Sequence, residues 1–238
     1  MRRSPTAVSV SDGFVDPEQR SALLKEITAY REGHVLPYIE REESDRPLRY
    51  QVIDGEAVAL ELPGVVRLYE QVKQAVGTTF GDELVPLPNA RVRVNVNVTP
   101  PGGSYRWHYD RNPVTAVAYL NPVAGGDIEV YANYRIDLGP WRHTAAQRWA
   151  DRLLRTPFAV RRWGQSRYQR ITPAAGRLVT MAADRCLHSV CPVEGTDDRI
   201  AVVMAYDLGG ANTGNRGSLD SYIYSDVNVR SGDPNYSR

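Results

Sequence analysis

Arg91-Val92-Arg93-Val94-Asn95-Val96-Asn97-Val98 alternates polar and apolar residues without a break. Successive side chains of a strand point to opposite faces, so this period predicts a strand with four valines on one face and Arg91, Arg93, Asn95 and Asn97 on the other. The valine face must pack against something. The polar face either meets solvent or lines an interior. Of its members Asn95 and Asn97 suit an interior better, because an uncharged amide costs less to bury than a guanidinium.

Downstream, a turn at Pro100 to Ser104 leads into Tyr105-Arg106-Trp107-His108-Tyr109-Asp110. On a strand His108 and Asp110 share a face while Tyr109 turns away. Further strands are predicted at Thr115 to Leu120, Asp127 to Tyr131 after the turn Gly125-Gly126, Arg177 to Met181, around His188, and Ile200 to Tyr206. His188 can deliver a third ligand from another strand. Two imidazoles and one carboxylate form the facial ligand set of non-haem Fe(II) oxygenases, which leaves coordination positions open. An isolated H-x-D arises readily by chance, and a lone histidine is more often structural. Zinc held by Cys186, His188 and Cys191 is a competing reading, but no fourth ligand stands at a recognisable spacing. Buried, unpaired cysteine is the simpler account of the two thiols.

The H-x-D segment, then Ala118-Tyr119-Leu120-Asn121 and Gly125-Gly126-Asp127, then Gly176-Arg177-Leu178-Val179, Leu187-His188-Ser189-Val190-Cys191-Pro192-Val193, Gly195 and Arg199, follow one another over about residues 90 to 208. In kind and order they resemble the core of 2-oxoglutarate/Fe(II)-dependent dioxygenases, in particular the prolyl-4-hydroxylase-like branch. The resemblance implies a mainly β fold with N-terminal packing helices around a double-stranded β-helix, a cupin-like jelly-roll. In such a fold the valine face of 91–98 can pack beneath the helices while its polar face looks into the barrel.

The same resemblance implies Fe(II) held by His108, Asp110 and His188, 2-oxoglutarate as co-substrate, O2, and ascorbate as a reductant. Arg199 is the expected partner of the oxo acid's distal carboxylate, since guanidinium pairs with carboxylate through two hydrogen bonds. Many members of the branch carry Lys there, so Arg199 is a departure. Tyr119 and Asn97 are further co-substrate candidates. Asn95, Arg93, Trp107, Tyr105 and Arg135 are candidates for the substrate. Asp110 argues against the related halogenases, which place a small residue at that position.

The chain has 238 residues and a formal net charge of +1. That length fits one dioxygenase domain over 1–238, with N-terminal helices and supporting strands over about 1–88, a core over 90–208 interrupted at 133–170, and a tail over 209–238. The near-neutral charge gives no general pull toward nucleic acid or an anionic membrane. Neither partner is expected. Met1-Arg2-Arg3-Ser4-Pro5 is followed by no apolar run, so a cytoplasmic location is expected. Two cysteines are too few for a disulfide framework and fit a reducing compartment.

Pro17 to Gly33 is predicted as an amphipathic helix with Asp16 as N-cap and Leu23, Leu24, Ile27 and Tyr30 as its stripe. Val65 to Val76 is predicted as a second. Between them, Tyr50 to Ile53 and Ala57 to Leu62 suggest a hairpin turning at Asp54-Gly55. Asn133 to Arg170 breaks the strand pattern, contains nine arginines including Arg135, Arg142 and Arg161, and is helix-compatible at Thr144 to Leu154. A connection this long is usually functional or disordered, and it is expected to form a lid over the substrate side of the iron. Most polar tails such as 209–238 are mobile, though Tyr222-Ile223-Tyr224 can dock near a pocket.

Hydroxylation of a C–H bond in a small molecule, such as an amino acid or specialised-metabolite intermediate, is the leading expectation. A peptidyl hydroxylase and a non-enzymatic jelly-roll binding protein are the alternatives. Desaturation, cyclisation or epimerisation start from the same hydrogen abstraction. A nucleic-acid demethylase is disfavoured because position 205, where the AlkB-like pattern has a second Arg, is Ala.

Overall fold

The computed structural model describes residues 6–41, 46–80, 83–110, 112–136, 138, 145–154, 156 and 167–209. The tail beyond 209, with Tyr222 to Tyr224, lies outside them. In chain order the strands are β1 (Val8–Ser11), β2 (Tyr38–Arg41), β3 (Leu48–Ile53), β4 (Leu84–Pro86), β5 (Val94–Thr99), β6 (Tyr105–His108) and β7 (Val114–Tyr119). They continue with β8 (Ala124–Gly125), β9 (Ile128–Tyr131), β10 (Tyr168–Ile171), β11 (Leu178–Met181), β12 (Leu187–Val190), β13 (Val193–Glu194) and β14 (Arg199–Leu208). The helices are α1 (Pro17–Gly33), α2 (Gly55–Glu61), α3 (Pro63–Phe80), α4 (Ala90–Arg93) and α5 (Ala145–Leu154).

The major sheet runs β1-β11-β7-β14-β5-β3-β2, with β4 also paired to β14. The minor sheet runs β10-β9-β12-β6. All of these pairings are antiparallel. This is the expected double-stranded β-helix.

The two faces of the major sheet differ. Register pairs Val96 with Val202 and Val202 with Ala118, so these side chains share one face with Val94, Val98 and Tyr206. Helix α3 covers that face: Val65, Leu68, Val72 and Val76 are buried in the same cluster, and Tyr206 Oη donates to the Tyr69 carbonyl at 2.8 Å. Each valine so buried contributes roughly 1.5 kcal/mol or more. The opposite face carries Asn95, Asn97 and Thr99 on β5, Arg199 and Ala201 on β14, and Thr115 and Tyr119 on β7, and it looks into the barrel.

Helix α1 has the expected bounds, with Asp16 accepting the Gln19 amide at 2.8 Å. Two expectations fail locally. The Asp54-Gly55 hairpin is instead the start of α2, because the Asp54 side chain accepts the amides of Glu56 at 3.1 Å and Ala57 at 3.0 Å and caps a helix. Val58 and Leu62, one helical turn apart, are both buried. The strand at 91–98 begins only at Val94: Asn89 accepts the Arg91 amide at 3.0 Å and starts the short helix α4. Alternation therefore misassigned Arg91, Val92 and Arg93, where a local side-chain cap prevails over the β pattern.

Candidate metal centre

Minor-sheet register sets two of the three candidate ligands side by side, pairing His188 with His108. Val130 also pairs with His188, and Val130, Ile128 and Val190 belong to the main core. This face is therefore the inner one. Between the pairs His188–His108 and Val190–Tyr105, β12 advances two residues while β6 advances three. That bulge undoes strict alternation, so Tyr105 joins His108 inside although it is three residues away. The Tyr105 ring lies 5.0 Å from Tyr50 and 6.2 Å from His108.

Asp110 follows just after β6, with its amide donating to the Ala183 carbonyl at 3.1 Å. Its Oδ1 lies 3.4 Å from His108 Nε2 and 3.5 Å from His188 Nε2. All three ligand atoms fall within 4.8 Å of one another. Two donors about 2.0 to 2.3 Å from one ion stand roughly 2.8 to 3.3 Å apart when at right angles. The two approaches to Asp110 need only a small closing to share an ion.

The surroundings fix which atoms face inward. His108 Nδ1 contacts the Arg106 carbonyl at 2.8 Å, and His188 Nδ1 contacts the Cys186 carbonyl at 2.9 Å. A carbonyl only accepts, so each Nδ1 carries a proton and each Nε2 is the atom turned toward Asp110, the one left to bind a metal once its own proton is released. Asp110 Oδ2 accepts from Thr115 Oγ1 at 2.6 Å, while the Asn112 amide donates to that same hydroxyl at 2.8 Å. Since Asn112 supplies a proton to the hydroxyl oxygen, the threonine proton is directed at Asp110.

Burial alone would raise the Asp110 carboxyl, but His188 and the hydrogen bonds of both imidazoles outweigh it and hold it well below the usual carboxylate range. Burial pushes His108 down, with His188 adding to the effect. Burial also opposes charge on His188, but the Asp110 carboxylate overcomes it and raises that imidazole. An ionised carboxylate and two Nε2 atoms, free to ligate once deprotonated, make a donor set that fits a divalent first-row metal.

The inner face of the major sheet carries a second polar group. Arg199 is 3% exposed, and its Nη2 donates to Tyr119 Oη at 3.4 Å while its guanidinium carbon stands 4.9 Å from that ring. Its Nε has no hydrogen-bond partner, and neither do Asn97 Oδ1 and Thr99 Oγ1 on the neighbouring strand. Among the described residues no carboxylate lies within ion-pair distance of Arg199. Burial raises the Tyr119 hydroxyl although Arg199 works the other way, so it stays protonated and able to donate. Gly126 lies close: with φ at +65°, a Cβ there would come 2.9 Å from Arg199 Cδ. Glycine is the residue that allows both the turn and the arginine's position.

The barrel thus brings together His108, Asp110, His188, Arg199, Tyr119, Asn97, Asn95 and Tyr105. Three candidates fall elsewhere. Arg93 is held on α4, donating through Nε to the Leu87 carbonyl at 3.0 Å. Trp107 points to the outer side of the minor sheet, 5.1 Å from Tyr131 and beneath the Arg46 guanidinium at 5.4 Å. Arg135 is engaged by Asp151 at 2.9 and 2.5 Å. Thr99 and Thr115 were not among the candidates. Thr99 continues the polar alternation of Asn95 and Asn97 by one more step, a legible signal; Thr115 has no sequence signature.

For its described residues the expected lid is also corrected; residues 137, 139–144, 155 and 157–166 lie outside them. Helix α5, the part of the insertion that is described apart from its flanking residues, packs Leu154 with Tyr109, Tyr131, Tyr134 and Leu187. Leu187 alternates with His188 along β12, so α5 lies behind the metal-bearing sheet, on its outer face. Arg142, Arg155, Arg161 and Arg162 lie outside the described residues. The cysteines do not join the cluster: Cys186 Sγ donates to the Ala7 carbonyl at 3.6 Å, and burial pushes its thiol up to about 11. Among the described residues no helix is long and apolar enough to cross a membrane.

Residues 94–207 match the model described as the 2OG-Fe(II) oxygenase superfamily. The match covers the barrel core, 114 of the 238 residues, and is to the superfamily that the sequence motifs resemble. Its fold is similar to that of a Pseudomonas putida prolyl-4-hydroxylase at 19% identity, covering 87% of this chain and 95% of that one, with a TM-score of 0.53. A Trichoplax adhaerens prolyl hydroxylase is 17% identical over 85% and 84% of the two chains, with a TM-score of 0.55. The epimerase SnoN from nogalamycin biosynthesis is 16% identical over 96% and 87%, with a TM-score of 0.58. No curated protein matches the chain.

Proposed function

We propose that this protein is a 2-oxoglutarate/Fe(II)-dependent dioxygenase that hydroxylates an unactivated C–H bond of a small molecule, such as an amino acid or specialised-metabolite intermediate, with Fe(II) held by His108, Asp110 and His188. When bound, iron and 2-oxoglutarate together supply the oxidation: substrate C–H, O2 and oxo acid become substrate C–OH, succinate and CO2. Arg199 and Tyr119 hold the oxo acid's distal carboxylate, with Asn97 and Thr99 donating or accepting along its length. The carrying observation is the buried guanidinium of Arg199, which has no counterion among the described residues and faces the same barrel interior as the convergent donor set. A buried charge of this kind is costly until an anion arrives.

The chain's other contribution is orientation. Nδ1 contacts with the Arg106 and Cys186 carbonyls turn both imidazoles, and Thr115 holds Asp110 so that one oxygen faces them. Asn95 and Tyr105, on the inner faces, offer an amide and a ring to a compact polar substrate. SnoN, solved with Fe3+, alpha ketoglutarate and nogalamycin RO, is consistent with a small-molecule reading. A peptidyl substrate is the second reading, favoured by likeness to a prolyl hydroxylase in complex with a hypoxia inducible factor peptide fragment. The test is untargeted mass spectrometry of a cell extract incubated with enzyme, Fe(II), ascorbate and 2-oxoglutarate. Gain of one oxygen in a metabolite supports the first reading, gain in a peptide the second, and loss of two hydrogens or an unchanged mass with inverted configuration overturns hydroxylation.

A further inference from the structure

Arg135 and Asp151 form a buried ion pair within the insertion, distant in sequence from every ligand. Arg135 Nε and Nη2 donate to the two Asp151 oxygens at 2.9 and 2.5 Å, and Asp151 is 1% exposed. Gln147, one turn earlier on α5, seals the pair: its amide donates to Asp151 Oδ1 at 2.9 Å and to the Ile136 carbonyl at 2.8 Å, and its oxygen accepts the Leu138 amide at 3.0 Å.

This pair grips the backbone that delivers the ligands. The Arg135 guanidinium stands 5.1 Å from the ring of Tyr109, the residue between His108 and Asp110. Its Nη1 donates to the Asp184 carbonyl at 3.1 Å, and its amide donates to the Arg185 carbonyl at 3.0 Å. The adjacent Ala183 carbonyl accepts the Asp110 amide, and the Ala182 carbonyl accepts those of Arg185 and Cys186, in the turn that enters β12 at His188. One arginine therefore touches both stretches whose relative placement sets the distance between Asp110 and His188.

We propose that the Arg135–Asp151 ion pair is a positioning device, through which the insertion holds Tyr109 and the turn 182–186 so that the three ligands converge. The proposal rests on the metal reading above. A lid would leave these contacts without a purpose.

Co(II) is the probe, titrated into full-length metal-free protein and followed by its visible absorption, which reports affinity and ligand geometry together. Wild type is expected to bind and His108→Ala to lose the signal; a wild type that does not bind overturns the metal reading itself. Asp151→Asn keeps the side chain's shape and removes its charge. Its Co(II) affinity is expected to fall about 10-fold or more, the scale of losing an outer partner of a metal ligand, with an altered spectrum at temperatures where the protein is fully folded. Ile27→Ala, in the core under α1, lowers stability without touching the site and is expected to change affinity by no more than about twofold. If Asp151→Asn melts lower but binds Co(II) with wild-type affinity and spectrum, the pair only docks α5 and the proposal is overturned. The same holds if affinity falls equally in Ile27→Ala. Should Asp151→Asn not fold, Arg135→Lys, which keeps the charge but loses the fork, is measured against the same two outcomes.

Discussion

The two faces of the metal-bearing sheet treat polar groups in opposite ways. On the outer face several charges and hydroxyls are paired within the protein: Arg46 donates to Glu129 at 2.5 Å and to Ser189 at 2.7 Å, Tyr168 donates to Glu129 at 2.6 Å, and Arg135 is closed by Asp151. The inner face holds two imidazole Nε2 atoms and a carboxylate converging on one point, and the wall opposite holds a guanidinium without a counterion among the described residues and two oxygens without donors. Folding alone does not favour the inner arrangement, since a buried polar atom without a partner costs roughly 1 to 3 kcal/mol. Polar groups left unmatched at such a cost mark where ligands complete the structure.

The largest expected effect of this contrast is at His188. His188→Ala removes an inner ligand, so Mn(II) should no longer raise the melting temperature, whereas wild type at a hundredfold excess over its dissociation constant should gain about 2.7 kcal/mol. Metal-free variant and wild type should melt alike. A large loss of metal-free stability would mean that the inner histidine is structural, like the residues behind it.

Arg199→Leu sharpens the comparison. Removing a buried charge that has no carboxylate partner among the described residues should leave melting unchanged or raised, because an apolar residue is often no worse in such a place. The apparent 2-oxoglutarate requirement should rise strongly, by the equivalent of about 2 to 5 kcal/mol for a broken buried charge pair. An unchanged requirement in steady-state turnover would move the anchor to another residue.

The parts of this architecture differ in how far the sequence reveals them. Periodicity finds the valine face of β5 and the stripe of α1, because burial repeats with the element's own period. It loses residues 54–62 and 91–93, where Asp54 and Asn89 cap helices that alternation reads as strand. His108, Asp110, His188 and Arg199 are legible as residue types in a familiar order. Which face each neighbour occupies is not: the bulge between Tyr105 and His108 parts Tyr105 from Trp107, and no local sequence signal distinguishes them. Arg135 looks like one more free cation of a basic insertion until its partner sixteen residues on is seen to be buried with it. Long-range pairing decides the role of a charged side chain, and one-dimensional spacing does not contain it.

A smaller effect is expected at Thr115, which stands between the two regimes as a fully matched residue on the inner side. Thr115→Val keeps the shape and removes the proton given to Asp110. Metal affinity should fall by about 10- to 100-fold, read by calorimetric titration with Mn(II), while Arg199 and the oxo-acid site are untouched. Equal affinity in the two proteins would show that the imidazoles alone orient the carboxylate.

The smallest effect belongs to the outer face and follows pH. Burial would raise the Glu129 carboxyl, but the hydrogen bonds from Tyr168 and Arg46 outweigh it and hold the group below its ordinary value. A carboxyl depressed in the folded state stabilises the fold above its unfolded pKa, near 4.3 for glutamate, and this contribution is lost as pH falls through the folded value. Tyr168→Phe removes one donor while Arg46 and Ser189 remain, at a rim where Tyr168 is 38% exposed, so the loss at pH 7 should be only about 1 kcal/mol. In urea melts the difference between variant and wild type should persist from pH 7 to about 5 and shrink as pH falls below the ordinary glutamate range, about 4.3. A difference that stays constant down to pH 3 would show that the tyrosine stabilises the sheet by packing, and Glu129 would then owe its low pKa to Arg46.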